Sequence, residues 1–237
     1  MLIDPNQLRD DLNRLEEIEK ASLRLVVQAI YDYCQLAVEI FHTEQDLVAD
    51  IAEDITREAL DRMGMARIDQ RLFGKIDYKR ARYLFHPDYA LKQALFVDSK
   101  AEQISGEQTA TLQTSQFSMI VRQIRSGQTI EFEGRLPKVL EISGNSYITT
   151  TIFVKYNYQE SEKANALRSV TVAAVPNGFL QNRYNPTPED TIWLAGRNAP
   201  TREEAFRVRL SFPRLKEKSC WRVQKITCPP NEFGWSE

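Results

Sequence analysis

The stretch ALFVDSKAE, residues 94–102, sets four apolar side chains directly before an aspartate and a lysine. A short apolar run of this kind suits a strand buried on both faces. Side chains alternate along a strand, so Asp98 and Lys100 project from one face and Ser99 from the other. Upstream, FGKID (73–77) is a second short strand that closes on an acid, Asp77. The length between the two allows a hairpin-like return that would bring Asp77 beside Asp98.

Outward from this pair, the chain after residue 64 is punctuated into strands. FGKIDY (73–78), QALFVDSK (93–100), YITTTIFVKYNY (147–158), SVTVAAV (169–175), AFRVRLSF (205–212) and WRVQKI (221–226) are rich in β-branched and aromatic residues. Turn signals at SG (126–127 and 143–144), NG (177–178) and RYNPTP (183–188) separate several of them. The front of the chain reads differently. From Asn6 to about Phe41, the residues Leu8, Leu12, Leu15, Leu23, Val26, Val27 and Ile30 recur at helical spacing. A second helix is predicted from Thr43, which with Asp46 resembles a capping box, to about Gly64, with Leu47, Ile51 and Ile55 on one face. A helical part (1–64) followed by a mostly stranded part (65–237) predicts an α/β fold, a mixed β-sheet core flanked by helices. With 237 residues and 42% hydrophobic composition, the chain can bury one substantial core, and a single domain over 1–237 is expected.

Composition narrows the class. No apolar run approaches the roughly 18 residues that span a bilayer, and the start, MLIDPNQLRDD, is too polar for a secretory signal. A cytoplasmic protein without a membrane partner is expected. Cys34, Cys220 and Cys228 fit no zinc or redox spacing and read as free thiols, while His42 and His86 stand too far apart for a histidine metal site. Net charge is −2, but it is unevenly spread: residues 1–63 hold 6 basic and 15 acidic side chains, residues 64–237 hold 25 and 18. A basic two-thirds can still present a positive face to phosphates. Ordinary fluctuation on a solvated surface would give the same numbers.

Asp77, Asp98 and Lys100 are the groups that phosphodiester hydrolysis needs. Two carboxylates, Asp77 and Asp98, can hold a hard cation such as Mg²⁺. A nearby ammonium, Lys100, can stabilise the charged pentacovalent state. This is the PD-(D/E)xK nuclease pattern, with Ile76 in place of the nominal proline. The letters D-x-K also describe a surface ion pair, but an apolar run leading into the pair argues for charges that end a buried strand. Glu53, on the predicted second helix, is either a third carboxylate or a solvated helix-face acid.

A second constellation is Phe206-Arg207-Val208-Arg209-Leu210. On a strand, Arg207 and Arg209 share a face, suitably placed to read neighbouring guanines at O6 and N7. Arg197 and Arg202 in the preceding segment could add base or phosphate contacts. An exposed strand pairing with Glu203 and Glu204 is the competing reading.

Beyond these short signatures, the chain resembles the SfiI restriction endonucleases. The resemblance rests on AEDIT (52–56), GKIDYKRARYL (74–84), ALFVDSKAE (94–102), TTTIFVKYNY (149–158), Val175-Pro176, QNRYNPTPEDT (181–191) and AGRNAPTREEAFRVRLSFPRLKEKSCWRVQ (195–224). It implies a type II restriction endonuclease, a homotetramer on double-stranded DNA that cuts an interrupted palindrome of GGCC half-sites with Mg²⁺. It also implies that the catalytic set is Asp77, Asp98 and Lys100, and that Arg197, Arg207 and Arg209 read bases. Arg197 stands where the family is expected to carry Lys. The apolar stripes of the N-terminal helices are candidate subunit contacts. Two rival readings are a structure-specific repair nuclease on the same fold and a catalytically silent, sequence-specific DNA-binding protein.

Overall fold

The computed structural model describes residues 2–44, 48–66, 81–106, 108–161, 164–194 and 208–237. The strand expected over 73–78 lies outside them, as do Asp77, Arg197 and Arg207.

At the front of the chain the predicted helix is divided. A 3-10 turn over Pro5–Arg9 precedes α1, Leu12–Thr43. The break falls at two consecutive aspartates, and the Asp11 carboxylate accepts the Arg14 backbone N–H as an N-cap. Thr43 ends α1 instead of opening the next helix: its hydroxyl donates back to the carbonyls of Glu39 and Ile40. Helix α2 spans Val48–Arg62. It stops at Gly64, whose φ of +72° suits a residue without Cβ. There the N–H groups of Gly64 and Met65 take the carbonyls of Asp61 and Leu60, the reciprocal pattern of a Schellman cap.

The strands follow in order: β1 (Ala81–His86), β2 (Leu91–Gln103), β3 (Thr109–Leu112), β4 (Ile120–Arg125), β5 (Gln128–Glu133), β6 (Val139–Ile142), β7 (Asn145–Glu160), β8 (Asn165–Val175), β9 (Trp193–Leu194), β10 (Val208–Ser211) and β11 (Val223–Thr227). Two short helices, α3 (Gln181–Tyr184) and α4 (Phe212–Lys218), interrupt the later strands. Both predicted SG turns are two-residue hairpins, joining β4 to β5 and β6 to β7. All four of their residues have positive φ, as such turns require: Ser126 and Gly127, Ser143 and Gly144. The NG at 177–178 is different. The Asn177 side chain accepts the Phe179 N–H and opens a 3-10 turn. The strand expected over 205–212 ends at Ser211, whose hydroxyl caps α4, and that over 221–226 begins only at Val223, after a 3-10 turn.

Among the described residues the main sheet has six strands in the order β1-β2-β7-β8-β11, with β6 on the first residues of β7. Strands β2 and β7 run parallel and every other pairing is antiparallel, so the sheet is mixed as expected. On one face, α1 and α2 bury Leu23, Val26, Ile30, Ile55 and Ala59 against Leu95, Val97, Ile152, Val154 and Val172. On the other, Phe153, Ala173 and Val223 pack with Val208 and Leu210 of a smaller sheet, β3-β10-β9. The α1 stripe is therefore taken up by the chain's own sheet: Leu23, Val26 and Ile30 are buried within it and are not free for subunit contacts.

Candidate active site

Alternation along β2 decides which residues meet. Leu95 and Val97 enter the core beneath α1 and α2, whereas Ala94 and Phe96 pack on the opposite side with Leu136 and Leu140. Asp98, Lys100 and Glu102 continue the second series, so all three belong to the face away from α1 and α2. The parallel register places Asp98 opposite Phe153, Lys100 opposite Lys155 and Glu102 opposite Asn157. Neighbouring residues in a ladder point the same way, which brings Lys155 to the same face.

Burial falls from Asp98 to Lys100. Asp98 is buried, and the Lys100 side chain keeps 37% of its surface. Lys100 Nζ lies 2.9 Å from Glu102 Oε1, and Lys155 Nζ lies 2.6 Å from Glu102 Oε2, so one carboxylate bridges two cations. Lys155 is fully buried and donates also to the carbonyls of Gly106 and Thr109, each at 2.5 Å. Three acceptors match the three protons of an ammonium. Burial works to raise the Glu102 pKa, but the hydrogen bonds and charges of Lys155 and Lys100 outweigh it and the carboxyl is held below its usual range. For Lys155 burial dominates and lowers the pKa; Glu102 pulls it back up, while the charges of Lys100 and Arg209 push it further down.

Arg209 lies on β10 in the smaller sheet. Val208 and Leu210 are fully buried and Arg209 between them is half-buried, as alternation on β10 predicts. Its strand pairs with β3, Arg209 opposite Thr111, and its charge is felt at Lys155. Among the described residues, Lys100 of the first constellation and Arg209 of the second thus both bear electrostatically on Lys155. Glu53 lies exposed on α2, whose buried residues Ala52, Ile55 and Ala59 face the opposite side of the sheet.

Glu102 and Lys155 were not singled out from sequence, although both left a signal. Glu102 continues the two-residue period of Asp98 and Lys100. Lys155 is a lone cation inside the apolar run TIFVKY (151–156), and a lysine there must find partners or lose its charge.

Comparison with known proteins decides the family. The model of the type II restriction enzyme SfiI family matches residues 32–226. The chain belongs to the SfiI family of type II restriction enzymes. Type II restriction enzyme SfiI of Streptomyces fimbriatus is 38% identical, over 91% of this chain and 85% of its own length. The crystal structure of tetrameric restriction endonuclease SfiI bound to cognate DNA superposes with a TM-score of 0.82 and 34% identity, covering 98% of this chain and 91% of that one. Restriction endonuclease BglI, bound to its DNA recognition sequence, superposes with a TM-score of 0.72 at 15% identity over 94% of each chain, a likeness of fold. Membership of the SfiI family makes the chain a site-specific DNA endonuclease, and it sets aside both the silent DNA-binding protein and the structure-specific repair nuclease. Type II restriction enzymes generally use a divalent metal ion. Among the described residues, no helix is long and apolar enough to cross a membrane.

Proposed function

We propose that this chain acts as one endonuclease domain over 1–237, assembles as a homotetramer, and makes Mg²⁺-dependent double-strand cuts at an interrupted palindrome with GGCC-type half-sites. The observation that carries the reading is the shared face of Asp98 and Lys100 at the end of the apolar run of β2, a face that Lys155 ties to β3, the partner strand of Arg209-bearing β10. The assembly and the half-sites rest on the family resemblance, supported by the tetrameric, DNA-bound state named for SfiI.

Asp77, Asp98 and Lys100 form the proposed catalytic set. Asp77 stands four residues before Ala81, which pairs with Phe96, two residues before Asp98. Four residues reach at most ~14 Å of extended chain, a length that allows Asp77 to meet Asp98. The donor set fits Mg²⁺: carboxylate oxygens are hard ligands, and this ion typically takes one or two of them together with phosphate oxygens. When bound, the metal supplies Lewis-acid polarisation of the scissile phosphate and offsets charge on the departing oxygen. The protein's own groups do the rest. Asp77 and Asp98 hold the ion, and the Lys100 ammonium stabilises the extra negative charge at phosphorus in the transition state. Arg197, Arg207 and Arg209 donate to guanine edges in the major groove. We place the enzyme in the cytoplasm, where DNA is met and where Cys34, Cys220 and Cys228 stay reduced.

Digestion of DNA of known sequence with Mg²⁺, followed by mapping of the cut ends, tests the proposal. Cuts at one fixed interrupted G/C palindrome are expected. Cuts at unrelated positions, or an unchanged rate in chelator, would refute it.

A further inference from the structure

We infer that Glu102 is a positioning residue for Lys100 and that Lys155 seats it, so that the cutting strand is tied to the sheet that carries Arg209. The inference rests on the proposed catalytic role of Lys100.

A lysine on a strand end has four rotatable bonds and no fixed place for its charge. Here its place is set by Glu102 Oε1 at 2.9 Å, two residues along the same face of β2. A carboxylate held by one exposed lysine would itself be loose. The second oxygen of Glu102 removes that freedom, because it is taken at 2.6 Å by a lysine with no exposed surface. Lys155 can serve as an anchor because its remaining protons go to the carbonyls of Gly106 and Thr109. Gly106 lies in the link from β2 into β3 and Thr109 opens β3, which pairs with β10 from Leu112–Val208 to Thr109–Ser211. One buried ammonium thus joins the central strand β7, the carboxylate that holds Lys100, and the first residue of the strand beside Arg209.

The fit around the carboxylate is close. A methyl group added at Gly106 would stand 2.9 Å from Glu102 Oε2 and 3.7 Å from Lys155 Nζ. Since φ at Gly106 is not in the left-handed region, alanine there strains nothing except this contact. Gly106→Ala is therefore a way to push the carboxylate off its seat without changing any charge.

The experiment uses full-length Glu102→Gln, Glu102→Ala and Gly106→Ala with a DNA duplex carrying the mapped cut site. Single-turnover cleavage in Mg²⁺, duplex affinity without metal, and the thermal midpoint are measured for each. A displaced catalytic group commonly costs ~10–100-fold in rate, so Glu102→Ala and Gly106→Ala should slow cleavage by that factor. Glu102→Gln, which keeps an acceptor at Oε1, should be slowed less. Affinity should stay near the parent's in Glu102→Gln and its midpoint should fall only by the lost attraction to the two lysines, so its rate, measured well below that midpoint, decides the matter if either alanine variant fails to fold. Rates within about threefold of the parent's in all three, or a loss of rate that merely follows a loss of affinity or midpoint, would overturn the inference. Lys100→Met measured alongside keeps the two readings apart: parental cleavage in that variant would sink the active-site proposal itself, whatever the Glu102 variants do.

Discussion

At the scale of single residues, the site is a matter of which charges are recessed and which are open. Asp98 is buried and Lys100 beside it is partly exposed, and the proposed active site assigns the recessed carboxylate to the metal and the open ammonium to the phosphate. Asp98→Ala should abolish cleavage while metal-free DNA binding survives, since a carboxylate facing phosphate repels it until a cation intervenes; loss of such metal electrostatics costs several kcal/mol of barrier. A near-parental turnover number would contradict the assignment. Arg209 makes a different kind of prediction. Its neighbours Val208 and Leu210 are anchored in the core, which holds the guanidinium in a defined direction. If it reads a guanine, Arg209→Ala should weaken cognate binding by ~1–3 kcal/mol and narrow the gap to mismatched sites, with Arg207→Ala behaving alike. A grip on the backbone would instead weaken all sequences equally and flatten the salt dependence, so affinities on cognate and mismatched duplexes at several salt concentrations separate the roles. Glu102 adds a dependence on pH. Its pKa is depressed in the folded protein, so the stability it contributes is complete above the unfolded value of about 4.3 and is lost as pH falls through the lower folded value. Acid unfolding of Glu102→Gln should accordingly show a shallower loss of stability below about pH 4.3 than the parent; identical acid limbs would mean that the two lysines do not hold this carboxyl down.

At the scale of elements, α1 matters most because its length lets one helix cover much of the main sheet. Ile30 is buried among Val97, Ile152 and the other residues beneath α1. Ile30→Ala should cost ~2–5 kcal/mol, read as a fall in thermal midpoint of ~2–4 °C per kcal/mol for a chain of this size. A shift under a degree would mean that α1 is less firmly packed than its burial implies. Helix α1 also shows how far sequence carries. Its stripe at three- and four-residue spacing gave its buried face, whereas its start was misplaced: the expected helix ran from Asn6 through the break at the paired aspartates. Strands β2, β7 and β8 were legible from apolar runs, and the SG hairpins from their turn chemistry. What stayed hidden depends on partners far along the chain. Arg222 is fully buried because Glu19 meets it at 2.7 Å from the far end of the sequence, and Arg82 is buried because Asp61 and the Met65 carbonyl receive it. Nothing in either arginine's neighbours marks it as interior. Likewise Asp98 and Lys100 could be paired by local period, whereas Lys155 reaches Glu102 only through the β2–β7 register.

At the scale of the whole molecule, assembly and topology take over. If the chain forms a tetramer holding two DNA sites, binding at one site biases the arrangement competent at the other. A plasmid with two sites should then be cut faster than one with a single site, and sedimentation should report a tetramer. A monomer, or equal rates on both plasmids, would remove this part of the proposal. The surface that joins subunits must be other than the α1 stripe, which is spent inside the chain. The parallel pairing of β2 with β7 has a consequence for how the protein is made. Residues joined there, such as Gln93 and Ile148, stand 55 positions apart. The hairpins β4–β5 and β6–β7 can close early through their two-residue turns, but the central seam must wait for a long loop to find its ends, and pairings of high sequence separation are slow. During that wait the strand bearing Ala94 to Val97 has bare, apolar edges, which invites other chains to pair with it. The same seam that carries Asp98 and Lys100 is thus the point at which a newly made chain is most exposed to clumping, and low temperature and dilute synthesis should favour the soluble product.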